Sequence, residues 1–262
     1  MSQVILYERR GPVGWVTLNN VDDNYTLTLK AMKDMEKQLK TIANTREVAV
    51  VVLQGAPNIF CLGHHFQEIQ ESDTETVHTL FEQSFRVKQL IRDLPQVVIA
   101  KVQGVAVAAG LELVAVSDLA VASERAQFGA TGINWGLFCS TPAVFLSRNI
   151  SRKKAAEMLF TGKLYTAREA EAMELVNRVV PDDQLDKETE KLANEVAKHS
   201  LQVIELGKRL FYRQLQMDDW SALHYATEVI VRNSKHRETI KGISAFLEKK
   251  EPTWDDGVSR HQ

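Results

Sequence analysis

Two stretches carry the residue types that could do chemistry. NIFCLGHHFQEIQ, from Asn58 to Gln70, sets a cysteine, a glycine, two consecutive histidines and a glutamate close together. AKVQGVAVAAGLELVAVSD, from Ala100 to Asp118, holds one carboxylate, Glu112, as its only charge between Lys101 and Asp118. Cys61, His64, His65 and Glu68 are of the types that bind zinc in tetrahedral array. Adjacent residues at a helix start point in different directions, so no metal site is expected there. The Glu112 carboxyl lies among Leu111, Leu113 and Val114. Apolar surroundings raise a carboxyl pKa, which suits proton transfer near neutrality. The alternative role is a first-turn carboxylate at the positive end of a helix dipole. Cys139 has no evident paired base, so packing or a pocket wall is expected of it rather than nucleophilic attack.

Both stretches take a buried strand through a glycine-bearing turn into a helix. Strand ends of this kind are where sites form in α/β proteins. The first N–H groups of a helix have no internal acceptor. Two such turns facing one point would offer two donors to one oxygen, an arrangement suited to a carbonyl that gains negative charge. Close packing of helix on sheet explains the small residues Ala108, Ala109 and Gly110 equally well.

The elements that must position these residues follow from periodicity. VILYERR and GWVTLNN flank Gly11 and Pro12 as a hairpin. Leu27 to Ile42 repeats Met32, Met35, Leu39 and Ile42 on one helical face. AVVVLQGA and VVIAKVQG are continuous apolar runs, the mark of strands buried on both faces. Helices are expected over 74–92, 152–161 and 167–173, and strands over LAVASERAQFGA and VNRVVP. From Asp183 to Lys249 the pattern is almost wholly helical, with one break expected near Gly242. Lys208 is expected on a solvated helix face, and Trp220 and Trp254 in support of the helical tail or a subunit contact. The order implies a layered α/β core over residues 1–200 and a C-terminal helical oligomerisation region over 201–262.

The 262-residue chain is long enough for a sizeable core, and its formal net charge of -2 carries no basic block for nucleic acid. Two distant cysteines build no disulfide framework and fit a reducing compartment. The N-terminus lacks the apolar run of a signal peptide, and no run reaches membrane-spanning length. A cytoplasmic location is therefore expected.

Four segments together resemble the crotonase superfamily, the enoyl-CoA hydratase/isomerase family. They are IFCLGHHFQEI, VQGVAVAAGLELVAVSDLAVASERAQFG, MLFTGKLYTAREAEAMELVNRVVP and GISAFLEKKEP. The resemblance implies a spiral of strand-strand-helix repeats, a coenzyme A thioester as substrate with no redox or metal cofactor, and a homotrimer or dimer of trimers. It implies that the backbone N–H groups of His64 and Ala109 are the two donors to the thioester oxygen, and that Glu112 is one of two catalytic glutamates. Phe246 and Lys249 match residues that hold the adenine and phosphate end of CoA, often across a subunit boundary.

The chain also departs from the family pattern. Gly132 stands where hydratases carry the second glutamate, and His65 where aspartate is usual. Alanines occupy the glycine positions 108 and 109. Asn20 and Val21 replace an arginine-proline pair, and Tyr25 an asparagine. His65, Gly132, Trp135 and Cys139 are expected to shape the substrate pocket, Trp135 being equally well read as core, with Thr131, Asn134 and Ser140 on the same wall. Hydration, double-bond isomerisation and decarboxylation of the methylmalonyl-CoA type all stay open. So does acyl-CoA binding without turnover.

Overall fold

The computed structural model describes residues 3–260. Its chain winds through successive turns of two strands and a helix. The hairpin β1 (Ile5–Arg10) and β2 (Val13–Leu18) leads to α1 (Leu29–Thr45). The next turn is β3 (Val50–Gln54), β4 (Ile59–Cys61), α2 (Phe66–Glu71) and α3 (Thr74–Asp93). The third is β5 (Val97–Val102), β6 (Val105–Val107) and α4 (Ala109–Val116). The fourth is β7 (Leu119–Ser123) and β8 (Gln127–Gly129), a 3-10 turn over Thr131–Trp135, then α5 (Ser140–Asn149) and α6 (Arg152–Thr161). β9 (Tyr165–Thr166), α7 (Ala167–Ala172), β10 (Arg178–Val180) and α8 (Leu185–Ala197) close the body, and α9 (Leu201–Gln214), α10 (Asp219–Ser234) and α11 (Arg237–Leu247) follow.

From β3 to β8, the first strand of each pair joins one sheet and the second joins the other. The sheets have the orders β1-β2-β3-β5-β7-β10 and β4-β6-β8-β9. This alternation produces the expected spiral. Apart from the β1–β2 hairpin the large sheet is parallel, and both its faces are covered. Val51, Leu53, Val98 and Ala100 pack into the main core with Met32, Met35 and Leu39 of α1. Their neighbours Val50, Val52 and Ile99 turn the other way, onto Trp15 and onto Leu185, Leu192 and Ala193 of α8. Burial on both faces is why these strands read as unbroken apolar runs.

Two expectations change, and α5 is a helix that the sequence reading did not name. Its Pro142 lies in the first turn, where the missing N–H costs nothing. The tail breaks between α8 and α9, at 215–218 and at 235–236, and not at Gly242, which sits inside α11 beneath the Trp254 ring. Trp254 also donates its indole N–H to the Lys198 carbonyl, so it ties the tail to the body.

Lys208 is not solvated. It is 8% exposed, pairs with Asp118 at 2.7 Å, and donates to the Ile91 and Gln96 carbonyls. Asp118 also accepts from the Tyr212 hydroxyl and the Val98 N–H. This buried knot docks α9 against the body. Removing one partner of such a pair strands the other charge and costs about 3–5 kcal/mol. Lys208→Met is therefore expected to lower unfolding free energy by about that amount in urea titration. Exposed Lys249→Met, the control, should stay within about 0.5 kcal/mol of the parent.

Candidate functional site

The two strand-to-helix turns meet. β4 and β6 pair in parallel with Cys61 opposite Ala106, so two residues further on Gly63 falls beside Ala108. Gly63 has φ +91°, and a Cβ there would stand 2.9 Å from the Ala108 methyl and 3.2 Å from the Ala109 nitrogen. A side chain at Gly110 would run into the Cys61 backbone. Only small residues let the turns approach this closely.

The backbone around each donor position is fixed. Leu27 donates to the Gly63 carbonyl at 2.7 Å and accepts from the His65 N–H at 3.4 Å. In this parallel bridge the residue between them, His64, turns its own N–H away from Leu27. Ala109 is the first residue of α4, where the first intrahelical bond is Glu112 N–H to Ala108 O. The Ala109 N–H thus belongs to the set without an intrahelical acceptor. Ala108 holds φ 49°, ψ −117°, a region that glycine enters freely and alanine does not. Strain of this kind, at about 1–3 kcal/mol, persists where surrounding structure over-determines it.

Glu112 is 1% exposed, in the first turn of α4. Its Oε2 accepts from Lys88 Nζ at 2.8 Å and from the Thr141 hydroxyl at 2.8 Å. Burial raises its pKa, against the pull of Lys88 and Thr141. Burial lowers the pKa of Lys88, with Glu112 opposing. Lys88 also donates to Ser84 Oγ at 2.7 Å, and Ser84 meets His64 Nε2 at 3.2 Å. A single chain of contacts therefore runs Thr141–Glu112–Lys88–Ser84–His64, buried from Glu112 to His64 and exposed at Thr141. Burial, helped by Lys88, pushes the His64 pKa down to about 3, so its imidazole is neutral near pH 7. The unfolded chain takes up a proton that folded His64 refuses, so this residue withdraws stability as the pH falls from about 6.5 toward 3.

Lys88, Ser84 and Thr141 were not singled out from the sequence. A signal for the first two existed. Leu80, Ser84, Val87 and Ile91 mark the buried face of α3, and Lys88 lies on it, four residues after Ser84.

The other expected residues divide. Gly132 is buried, and its carbonyl accepts from the Leu137 N–H at 3.0 Å. A Cβ there would collide with the Leu137 carbonyl oxygen and press on Cys139 Sγ at 3.1 Å. Cys139 is buried and receives the Gly132 N–H; burial raises its thiol pKa, against the Gly132 bond and with a smaller push from the Glu112 charge. His65 caps the start of α2, its Nδ1 buried without a partner. Trp135 is 75% exposed, which rules out the core alternative. Asn134 donates to the Gly162 carbonyl. Phe246 and Lys249 are exposed at the end of α11, which packs on α9 and α10.

The apparent metal cluster is dispersed. Glu68 accepts from Leu29 N–H, Cys61 Sγ receives the Gly63 N–H, and His64 binds Ser84. Among the described residues no group of three His, Cys, Asp or Glu is placed to hold a metal ion. A polar recess of about 480 Å³ lies apart from this chemistry, lined by Arg10, Lys101, Arg125, Asp182 and Asp186. Within it Lys101 pairs with Asp186 and Arg125 with Asp182, while Arg10 pairs with Glu8.

Two substitutions probe these turns. Ala108→Gly is expected to raise unfolding free energy by about 1 kcal/mol, the relieved strain exceeding the added chain entropy. Gly132→Ala is expected to lower it by about 1–3 kcal/mol through overpacking against Leu137. Denaturant titration reads both.

The model of the enoyl-CoA hydratase/isomerase family matches residues 8–257. The human protein named enoyl-CoA hydratase domain-containing protein 3, mitochondrial, is 38% identical over 240 residues, covering 91% of this chain and 79% of the relative. Its crystal structure superposes with TM-score 0.93 at 36% identity, covering 96% of this chain and all of that one. An enoyl-CoA hydratase structure from Mycobacterium smegmatis gives TM-score 0.93 at 40% identity, covering 97% and 99%. By sequence and by its two-sheet spiral, the chain belongs to the enoyl-CoA hydratase/isomerase family and has the crotonase fold.

Proposed function

We propose that the protein processes an acyl-CoA thioester through an enolate, with the His64 and Ala109 N–H groups bound to the thioester oxygen and Glu112 carrying the proton. The observation that supports this most is the contact of the Gly63 and Ala108–Ala109 turns, with a buried carboxylate one helical turn away. Fixed N–H dipoles aimed at a developing oxyanion stabilise it with little reorganisation.

One carboxyl group can balance two reactions. In isomerisation, the Glu112 carboxylate takes the α-proton of a 3-enoyl thioester. The electron pair moves to the thioester oxygen, and the same carboxyl returns the proton at the γ-carbon. In hydration, Glu112 takes a proton from water as the oxygen bonds to the β-carbon, then delivers that proton to the α-carbon. Both balance with the carboxyl, water and the thioester. Coenzyme A enters as part of the substrate, and Phe246 and Lys249 are proposed to hold its adenine and phosphate groups, on a neighbouring subunit. The apolar side chains Leu223, Ile230 and Val231 of α10, all exposed in the single chain, support a trimer or a dimer of trimers.

Decarboxylation is the second reading, favoured by Gly132. Loss of carbon dioxide makes the enolate without a base, so a loop with no space for a second carboxylate is no handicap. The Asn134 amide, held on the Gly162 carbonyl, weighs against a role on substrate. No helix among the described residues is long and apolar enough to cross a membrane. A cytoplasmic location remains a proposal, since several relatives are named mitochondrial.

Assays with crotonyl-CoA, longer 2-enoyl-CoAs, 3-enoyl-CoAs and methylmalonyl-CoA separate these reactions. Glu112→Gln is expected to lower kcat by about 10²–10⁴-fold for hydration or isomerisation. Unchanged turnover in that variant would remove Glu112 from the chemistry. Absence of turnover in the parent across the panel would leave a binding protein.

A further inference from the structure

The buried lysine beside Glu112 has no place in a two-donor, one-carboxylate scheme, yet the packing leads directly to it. Lys88 Nζ is 2.8 Å from Glu112 Oε2 and 2.7 Å from Ser84 Oγ, with side chains 5% and 1% exposed for the ion pair. We propose that Lys88 is a positioning residue, which holds Glu112 as a carboxylate, clamps its Oε2, and ties it through Ser84 to the His64 turn. This rests on Glu112 being the proton carrier.

Three observations support it. First, Lys88 and Thr141 both bind Oε2. That holds Oε2 from two sides and leaves Oε1 as the oxygen outside this clamp. Second, burial penalises the charged form of Glu112 and Lys88 opposes that penalty, so the ammonium group favours the carboxylate that a proton carrier must present. Third, Ser84 accepts from Lys88 and touches His64 Nε2, while Phe81 packs edge-on against the His64 ring at 4.8 Å between centroids. The base and the backbone donor are thus braced by one helix, α3.

Among the described residues no other cation is positioned to replace Lys88. α4 packs against α3, α5, β4, β5 and β6. From α3, Arg92 reaches the far end of α4, at the Ala115 carbonyl. From α5 come the Thr141 hydroxyl and the Cys139 thiol before it, whose pKa is raised by burial. β4 contributes Cys61, whose thiol is pushed up to about 12 by burial. Lys101 of β5 is turned to the opposite face, on Gln54 and Asp186. β6 is Val-Ala-Val and brings no charge. His64 beyond β4 is neutral near pH 7.

The test reads Glu112 directly as well as turnover. In the full-length protein, difference infrared spectroscopy follows the protonated carboxyl band between pH 4 and 9, assigned by its loss in Glu112→Gln. Lys88→Met is expected to keep that band to a pH roughly 1–3 units higher than the parent. The acid limb of kcat/KM should move up with it, and Lys88→Arg should return both toward the parent. A band and an acid limb unchanged in Lys88→Met would overturn the proposal. Should Lys88→Met not fold, the reciprocal titration decides: the Lys88 side-chain nitrogen, followed by NMR, should lose its proton at lower pH in Glu112→Gln than in the parent. An unchanged lysine titration would overturn the proposal. If the parent turns over no substrate of the panel, the enzyme reading fails alone, and the spectroscopic titrations still decide the role of Lys88 toward Glu112.

Discussion

Two backbone turns touch at the centre of this protein, and the small residues around them follow from that contact. Pairing of β4 with β6 sets Cys61 opposite Ala106. Parallel register then carries Gly63 alongside Ala108, with a gap too narrow for a Cβ on Gly63. A slip of one residue would invert the faces of the strand and separate the turns. The large sheet enforces the register indirectly. Each passage through β3, β5 or β7 is buried on both faces, so the strand that follows enters the second sheet from a fixed height. Ala108 keeps its positive φ because its N–H is bound to Gly129 O, while Gly63 abuts its methyl group.

The lysines at 88 and 208 show how buried charge serves this architecture. Each lies on the inward face of a helix and meets a carboxylate from the body, Glu112 or Asp118. Desolvation makes such pairs weak stabilisers on balance. Their value lies in direction, because a buried ammonium group must satisfy its donors at particular oxygens. Lys208 uses Asp118 and two carbonyls to hold α9 in one orientation. Lys88 uses Glu112 to hold α3 against α4, while Ser84 of its own helix accepts a second hydrogen bond. A leucine would bury more favourably but would tolerate sliding.

Most of the elements were legible because strands buried on both sides cannot hide their composition, and α1 repeats its apolar residues at helical spacing, whereas the spiral itself came from the family resemblance. The turns around Gly63 and Gly110 were legible for a similar reason, since backbone approach demands small residues at fixed positions. α5 was not read from the sequence; its Pro142 falls in the first turn, where proline is compatible with a helix. The lysines were missed because a charge is ordinarily a sign of solvent. Only the helical wheel, which places Lys88 with Ser84, Val87 and Ile91, could have reversed that reading. Glu112 lies 24 residues from Lys88, and Thr141 a further 29 from Glu112, each on another element, so no local spacing exposes them.

Gly132 gives the site its distinct electrostatics. The loop is closed around it, with the Leu137 N–H bonded to its carbonyl and the Leu137 oxygen where a side chain would begin. A carboxylate at position 132 is therefore opposed by the backbone as this loop stands, not merely absent from the sequence. The remaining carboxylate is paired with Lys88, so the two groups sum to no net charge. An enolate forming near two unpaired carboxylates would meet repulsion of about 4 kcal/mol from each at 4 Å and an effective dielectric of 20. Here that opposition is largely cancelled. With two N–H donors proposed for the thioester oxygen, the arrangement favours a discrete enolate over a concerted passage between two carboxyl groups. Isomerisation and decarboxylation both run through such an enolate, while hydration gains from it only if water is already placed at the β-carbon. The same reasoning explains why a reaction that forms negative charge would retain a buried ammonium group despite its desolvation cost.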